Sequence, residues 1–219
     1  ASACGNEVAS ERPMVRKYII DSLCYWVSEY HIDGFRFDLM GVLDIETMNQ
    51  AREALVKLKP DIILYGEGWT GKDSVMPADQ RALKVNVSKM PEYGMFSDDI
   101  RDSVKGHVFY YDQLGFADGG TGKENDIRYA VTGAVKHPQV DYDKYTYTAE
   151  GAWAVRPGNS INYVSCHDNY TLWDRYEISS PEDSVDILKR KNMLSAAIVF
   201  TSQGVPFFLQ GEEFGRTKP

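Results

Sequence analysis

The sequence lacks a long apolar run and a cluster of basic residues. No stretch approaches the roughly 20 apolar residues that span a bilayer, so we expect no transmembrane segment. The 219 residues carry 32 acidic and 24 basic side chains, a formal net charge of −8. This balance makes nucleic acid and an anionic membrane poor partners, and an uncharged or cationic ligand is the better expectation.

Several motifs of common cofactor and catalytic sites are also missing. The sequence contains no P-loop, no G-x-S-x-G elbow and no H-E-x-x-H pair, and we predict neither a cofactor nor a metal. Three cysteines, Cys4, Cys24 and Cys166, form no C-x-x-C pair, and we interpret them as small buried hydrophobic residues. They do not identify the cellular compartment, and no signal peptide is visible within this stretch.

Hydrophobic residues make up 43% of the chain and aromatic residues 12%, enough for a substantial core. Ser10 is predicted to cap a first helix with Pro13 in its opening turn, and Asp44 a second helix that stops before Pro60. The sequence Ser180-Pro181-Glu182-Asp183 predicts the start of a later helix. The inward face of the first helix is predicted to consist of Val15, Ile19, Leu23, Trp26 and Tyr30.

Short apolar runs between these helices predict strands. The clearest of them cover residues 35–40, 62–65, 161–166 and 205–209. Alternation of strands and helices is typical of an α/β fold with a parallel sheet. Because no linker or repeat interrupts the pattern, we interpret residues 1–219 as a single domain with long loops.

Three of the predicted strands end in carboxylates, either at the end of the apolar run or just after it. These acids are Asp38, Glu67 and Asp168. In parallel α/β folds the site lies at the carboxyl ends of the strands, so these acids occupy the functional position. A structural Arg–Asp pair, a solvated turn and ordinary loop acids are the non-functional alternatives for the three positions.

Neighbouring residues suggest different roles for these acids. Arg36 lies two residues before Asp38 and faces the same side, which favours an ionised carboxylate suited to a nucleophile. Glu67 lies near the aromatic Trp69, and such surroundings favour the protonated form that a general acid needs. Because adjacent strand residues point to opposite faces, Cys166 and His167 are not expected to form a thiol–imidazole pair.

Paired carboxylates at one edge of a sheet indicate sugar chemistry. A retaining glycosidase uses two carboxyl groups about 5–5.5 Å apart, and neighbouring strands lie about 4.8 Å apart. Asp38 and Glu67 on consecutive strands therefore meet the requirement. Aromatic side chains of the irregular segments could stack on sugar rings, although local packing of the long loops is the better explanation for most of them.

Five stretches of the chain form recognisable motifs. They are Ser2-Ala3-Cys4-Gly5-Asn6, Gly34-Phe35-Arg36-Phe37-Asp38-Leu39-Met40-Gly41, Tyr65-Gly66-Glu67-Gly68-Trp69, Ser165-Cys166-His167-Asp168-Asn169 and Gln210-Gly211-Glu212-Glu213-Phe214-Gly215-Arg216. Together they resemble the α-amylase family of glycoside hydrolases and, more narrowly, its type I pullulanase group. The stretches occur in the family's order along essentially the whole chain.

The resemblance implies a (β/α)8 barrel acting on α-glucans without a cofactor. It assigns Asp38 as nucleophile, Glu67 as acid and base, and Asp168 as the group that binds sugar hydroxyls. Arg36 and His167 would assist in the same subsite, and Trp69 and Asn169 would contact substrate. Met40-Gly41 replaces the Lys-His common in enzymes that cleave α-1,4 bonds, which favours α-1,6 debranching.

The sequence departs from the family in one respect. The early stretch Asp-x-x-x-Asn-His is missing, and the pattern accounts for about five of the eight strands. We therefore expect an incomplete barrel, cut at both ends, that is inactive alone and self-associates through its open edge. An α-1,4-acting amylase, an amylopullulanase and a non-catalytic glucan-binding module stay open as alternatives.

Overall fold

A computed structural model describes residues 2–3, 5–144 and 151–218. The chain divides into two compact units, Ala1–Phe96 and Ser97–Pro219. Cys4 and part of the aromatic segment before Trp153 lie outside the described residues. Within the described ranges, no helix combines the length and the apolar character needed to cross a membrane.

The first unit alternates helices with parallel strands. Its elements are α1 (Pro13–Tyr30), β1 (Gly34–Phe37), α2 (Ile45–Leu58), β2 (Ile63–Gly66) and β3 (Gly94–Phe96). β2 pairs in parallel with both β1 and β3. Helices that connect parallel strands are the βα arrangement predicted from the sequence, so the α/β class is confirmed.

The described part of the second unit contains four α-helices and a parallel strand pair. Its elements are α3 (Asp98–Lys105), α4 (Glu124–Val131), β4 (Ser160–Asn162), α5 (Leu172–Ser179), α6 (Val185–Thr201) and β5 (Val205–Pro206). β4 pairs with β5 with Ile161 opposite Val205. A core of buried apolar side chains from α3, α5 and α6 joins the helices, with Ile100, Val104, Leu172, Tyr176 and Val199 among its members.

The start of α1 differs from the sequence prediction. Pro13 lies in its first turn, as predicted, but the N-cap is Arg12 and no side chain caps the helix. The Ser10 hydroxyl instead donates to Asp44 Oδ2 at 2.6 Å. Ser10 therefore stabilises the start of the second helix rather than that of the first, because its hydroxyl is hydrogen-bonded to the buried carboxylate of Asp44.

The predicted inward face of α1 is correct only in part. Val15, Ile19 and Leu23 are half-buried, whereas Trp26 and Tyr30 are exposed and lie against each other with ring centroids 4.6 Å apart. The buried residue of this helix is Val27. The Trp26 and Tyr30 side chains of α1 are therefore exposed and do not contribute to the core of this unit.

Three predictions for the second unit are wrong in extent, and one of them is the strand expected over 205–209, which ends at Pro206. The strand expected over 161–166 ends at Asn162. The helix expected from Ser180 begins at Val185, where the Ser184 side chain accepts a hydrogen bond from the Ile187 N–H. Residues 180 and 183 are used elsewhere, since Lys191 Nζ contacts both Ser180 Oγ at 2.9 Å and Asp183 Oδ2 at 2.5 Å.

Asp44 caps α2 as predicted and ties it to the segment before α1. Its carboxylate accepts from the Thr47 N–H at 2.8 Å and from Arg16 at 3.1 Å, in addition to Ser10. Burial alone would raise the pKa of Asp44, but the hydrogen bonds from Ser10 and Thr47 and the Arg16 charge lower it below the usual value.

We predict that Asp44→Ala lowers the free energy of unfolding by about 2 kcal/mol at neutral pH, since a cap is lost and buried donors are left unpaired. A carboxyl group whose pKa is lower in the folded state than in the unfolded state stabilises the fold at pH values above its unfolded pKa. This stabilisation is lost as the pH falls through the folded pKa. The difference from wild type should therefore shrink below about pH 4. Urea unfolding at several pH values measures both effects. Glu29→Ala, at an exposed position of α1, is the control, and an equal effect from both variants would contradict the cap.

Candidate active site

Asp38 and Glu67 follow directly after two paired strands. Phe37 lies opposite Gly66 in the parallel register of β1 and β2, so the next residue of each strand is an acid. The Glu67 N–H donates to the Phe37 carbonyl at 3.0 Å and extends the pairing by one step. An oxygen of Asp38 lies within 4.8 Å of an oxygen of Glu67. The structure thus brings together the two acids that the sequence placed at the strand ends.

One guanidinium contacts both acids. Arg36 Nη1 donates to Asp38 Oδ1, and Arg36 Nη2 donates to Glu67 Oε1. The Arg36 side chain is mostly buried and lies over the Phe96 ring, with Cζ 5.5 Å from the ring centroid. Because the two donors belong to one planar group, the guanidinium fixes both carboxylates in a common frame.

The two acids differ in exposure. Glu67 is buried, whereas the Asp38 side chain is 63% exposed. Glu67 Oε2 also accepts the Leu39 N–H at 2.7 Å. Leu39 has a φ of +42°, a left-handed conformation that is uncommon for a residue other than glycine. This turn directs the backbone amide at Glu67, so each of its oxygens accepts a hydrogen bond.

Glycines around Glu67 are required by close backbone packing. A Cβ on Gly66 would meet the Phe37 carbonyl oxygen at 2.6 Å, and one on Gly68 would meet the Lys84 nitrogen at 2.7 Å. With Gly71, these residues also have the G-x-G-x-x-G spacing of dinucleotide-binding turns. A helix follows the glycines in that motif, whereas here the chain stays irregular up to a short 3-10 helix at Ala78–Gln80.

Trp69 lies two residues after Glu67 and is half-buried. Its carbonyl oxygen would lie 2.4 Å from a Cβ on Gly41, so the Trp69 backbone packs closely against the turn after Asp38. The segments that follow β1 and β2 are therefore in direct contact. The backbone of Trp69, the residue predicted to bind sugar, therefore lies against the turn that follows Asp38.

The third group of predicted site residues lies in the second unit, on the loop between β4 and α5. His167, Asp168 and Asn169 are exposed, and His167 Nε2 lies 3.7 Å from Asp168 Oδ1. Asn169 has a φ of +60°. The strand preceding the loop ends five residues before His167, so the loop conformation depends on contacts other than sheet pairing.

The expectation for Cys166 and His167 is wrong. Cys166 Sγ lies 3.4 Å from His167 Nδ1, although alternation along a strand would separate the two side chains. The physical reason is that both residues lie beyond the end of β4, where the period of two no longer applies.

Two groups that shape the site were missed by the sequence analysis. The Leu39 amide is a backbone donor, and its only sequence signal is the turn before Gly41. Lys218 Nζ donates to the Asn169 carbonyl at 2.7 Å and also to the His167 carbonyl. Contacts to backbone carbonyls about 50 residues away in the chain leave no motif that a sequence could reveal.

Comparisons with known proteins agree with this geometry. The family model of the α-amylase catalytic domain matches residues 5–219. A pullulanase from Bacillus subtilis (strain 168) is 40% identical over 214 residues, which cover 98% of this chain and 28% of that protein. A pullulanase from Klebsiella aerogenes is 32% identical over 257 residues, covering 100% of this chain and 22% of the other.

Solved structures give the same result. The crystal structure of a pullulanase from Paenibacillus barengoltzii in complex with maltohexaose and alpha-cyclodextrin matches with a TM-score of 0.89 and 49% identity. The match covers 99% of this chain and 32% of that one. The chain therefore spans less than a third of the length of each of these relatives. Because the family match extends over nearly every residue, this chain belongs to the α-amylase catalytic-domain family.

Proposed function

We propose that the gene product containing this chain hydrolyses α-1,6-glucosidic branch linkages in pullulan, starch or glycogen-type glucans with retention of configuration. The observation that carries this proposal is the pair formed by Asp38 and Glu67, whose oxygens lie within 4.8 Å of each other beside a shared guanidinium. The separation suits a retaining mechanism, because an inverting pair is about 6.5–9.5 Å apart to admit a water molecule.

Asp38 is the nucleophile in this proposal. Its exposed carboxylate oxygen attacks the anomeric carbon and forms a β-glycosyl ester while the α-glycosidic C–O bond breaks. Glu67 donates its proton to the departing glycosidic oxygen. In the second step the Glu67 carboxylate takes a proton from water, the water oxygen attacks the anomeric carbon, and Asp38 leaves. Two inversions restore the α configuration.

The contacts of Glu67 impose a condition on this mechanism. Both of its oxygens accept hydrogen bonds, one from Arg36 and one from the Leu39 amide. Each carboxyl oxygen has a second lone pair, so the proton that Glu67 carries as an acid occupies a site that neither donor uses. We infer that this site faces the bound glycosidic oxygen and that Arg36 and the Leu39 amide orient the carboxyl group toward it.

The other predicted site residues supply the contacts to sugar. Asp168 binds sugar hydroxyls and stabilises the positive charge that develops at the anomeric centre, and His167 and Asn169 flank it on the same exposed loop. Arg36 orients the reacting acids. Trp69 offers an aromatic face two residues from Glu67, and such faces stack on sugar rings. An uncharged glucan also fits a chain with a net charge of −8.

The preference for α-1,6 linkages is supported by similarity. The relatives described above are pullulanases at 32–49% identity, and one of them was crystallised with maltohexaose and alpha-cyclodextrin. Met40-Gly41 after the nucleophile agrees with debranching. We expect the isolated 219-residue chain to lack activity, so the assays below use the full-length gene product.

We predict that the full-length protein converts pullulan into maltotriose as its single small product, because only the α-1,6 bonds between maltotriose units are cut. Chromatography of the released sugars measures this outcome. Asp38→Asn is the matched control, since it keeps the shape and removes the charge. Panose or longer α-1,4 products would favour an amylase or an amylopullulanase, and glucan binding without any hydrolysis would favour a binding module.

The two acids should respond differently to a substrate that needs no protonation. With an α-maltotriosyl fluoride, whose leaving group departs as fluoride, Glu67→Gln should lose far less of the first step than with pullulan. Asp38→Asn should lose about 10³-fold or more with both substrates, because the nucleophile itself is gone. Stopped-time assays of fluoride release measure the first step. Equal losses for both variants on the fluoride would contradict the assignment.

A further inference from the structure

The loop that carries Asp168 is held through its backbone by lysines from other parts of the sequence. Residues 167–170 are exposed, and the loop bulges between the end of β4 at Asn162 and the start of α5 at Leu172. An exposed loop of this kind has many accessible conformations, and ordering each backbone residue costs about 1–2 kcal/mol. Contacts that fix the peptide groups on both sides of Asp168 therefore decide where its carboxylate lies.

Lys218 makes those contacts. Its ammonium group donates to the carbonyl of His167 and, at 2.7 Å, to the carbonyl of Asn169. One half-buried side chain thus bridges the two residues that flank Asp168. An ammonium group has three donors and a full charge, so it can serve both carbonyls at once, which a neutral side chain with a single donor cannot do.

The position of Lys218 is itself fixed by α5. The backbone N–H of Lys218 donates to Asp174 Oδ2 at 2.9 Å. The same oxygen accepts a hydrogen bond at 2.8 Å from the hydroxyl of Thr171, at the start of that helix. Nearby, Gly215 has a φ of +75°, and a Cβ there would meet the Trp173 ring at 2.6 Å. The segment before Lys218 is therefore packed tightly against α5, and this packing limits the positions that the Lys218 ammonium group can take.

We propose that Lys218 is a positioning residue for Asp168 in the reaction described above, an inference that rests on the proposed glycosidase function. The ammonium bridge sets the peptide planes on either side of Asp168 and thereby the direction of its carboxylate toward the substrate. Lys218 makes no contact with substrate in this account and acts only through Asp168.

A second lysine holds the same loop more weakly. Lys105 Nζ lies 3.4 Å from the carbonyl oxygen of Tyr170. Burial, with the nearby Arg101 charge, lowers the pKa of Lys105 to about 7, while the nearby acids Asp102 and Glu212 counteract this effect. Lys105 makes one long contact to a single carbonyl, whereas Lys218 makes shorter contacts to two carbonyls, so Lys218 is the stronger anchor.

The test combines kinetics on pullulan with hydrogen exchange in the full-length protein. Lys218→Met removes the bridge, Lys218→Arg keeps a multidentate cation, and Lys218→Gln replaces Lys218→Met if that variant does not fold. The matched control is Lys189→Met on α6, whose side chain is 63% exposed. Exchange is followed in the peptide that covers residues 165–172.

We expect Lys218→Met to lower kcat about tenfold or more and to change KM less than about twofold, because the lost contact acts in the transition state. Lys218→Arg should restore most of the rate, and exchange in the loop peptide should rise only when the bridge is lost. In an Asp168→Asn background, Lys218→Met should cause no further loss, since both changes act through one group.

Three results would overturn the proposal. They are an unchanged kcat and exchange rate in Lys218→Met, an effect on KM alone, and the same fold-loss in the Asp168→Asn background as in wild type. The hydrogen-exchange measurement does not depend on activity. A wild-type protein that fails to hydrolyse pullulan would therefore refute the proposed function, while loop exchange in the variants would still decide whether Lys218 holds the loop.

Discussion

The shared guanidinium of Arg36 is the interaction on which the site of the first unit depends. It donates to Asp38 and to Glu67, two acids that the parallel register of β1 and β2 places one residue beyond the paired strands. Without a cation between them, two carboxylates this close would repel each other, and the exposed Asp38 would turn toward solvent. The Phe96 ring and the close backbone packing at Gly66 in turn restrict where the guanidinium can lie. The short separation of the two acids, which a covalent mechanism requires, thus depends on one arginine whose position the sheet restricts.

In the second unit, too, a cationic side chain fixes the position of an acid. There the acid lies on an exposed loop, and a cation from a distant segment holds the backbone rather than the carboxylate. This difference has a structural reason, because Asp38 and Glu67 inherit their positions from paired strands, whereas Asp168 follows a strand that ended five residues before His167. A loop needs its own anchor. The long-range contacts of Lys218 supply one, and the contacts of Lys218 with Asp174 tie that anchor to α5.

Sequence patterns predicted the parts of the fold that local rules determine. The fold class, an α/β arrangement of the (β/α)8 barrel type, is confirmed by the family match and by the similarity to solved pullulanase structures. The cap at Asp44 and the acids after β1 and β2 were predicted because capping and strand alternation operate over a few residues. Ser180 was misassigned because Ser184 offers an equivalent cap, and a buried network around Lys191 decides between them. The Leu39 amide and Lys218 were missed, since backbone conformation and long-range contacts to carbonyls have no residue pattern.

In the proposed mechanism Asp38 becomes covalently bonded to the sugar. Peptide mapping by mass spectrometry detects this bond after the full-length protein reacts with a malto-oligosaccharyl fluoride that carries a second, rate-slowing fluorine on the reacting ring. We expect one glycosylated peptide, with the added mass located on Asp38, and no such adduct in Asp38→Asn. An adduct on Glu67 or another residue would rule out Asp38 as the nucleophile, and turnover of the reagent with inverted configuration and no adduct would rule out the covalent mechanism.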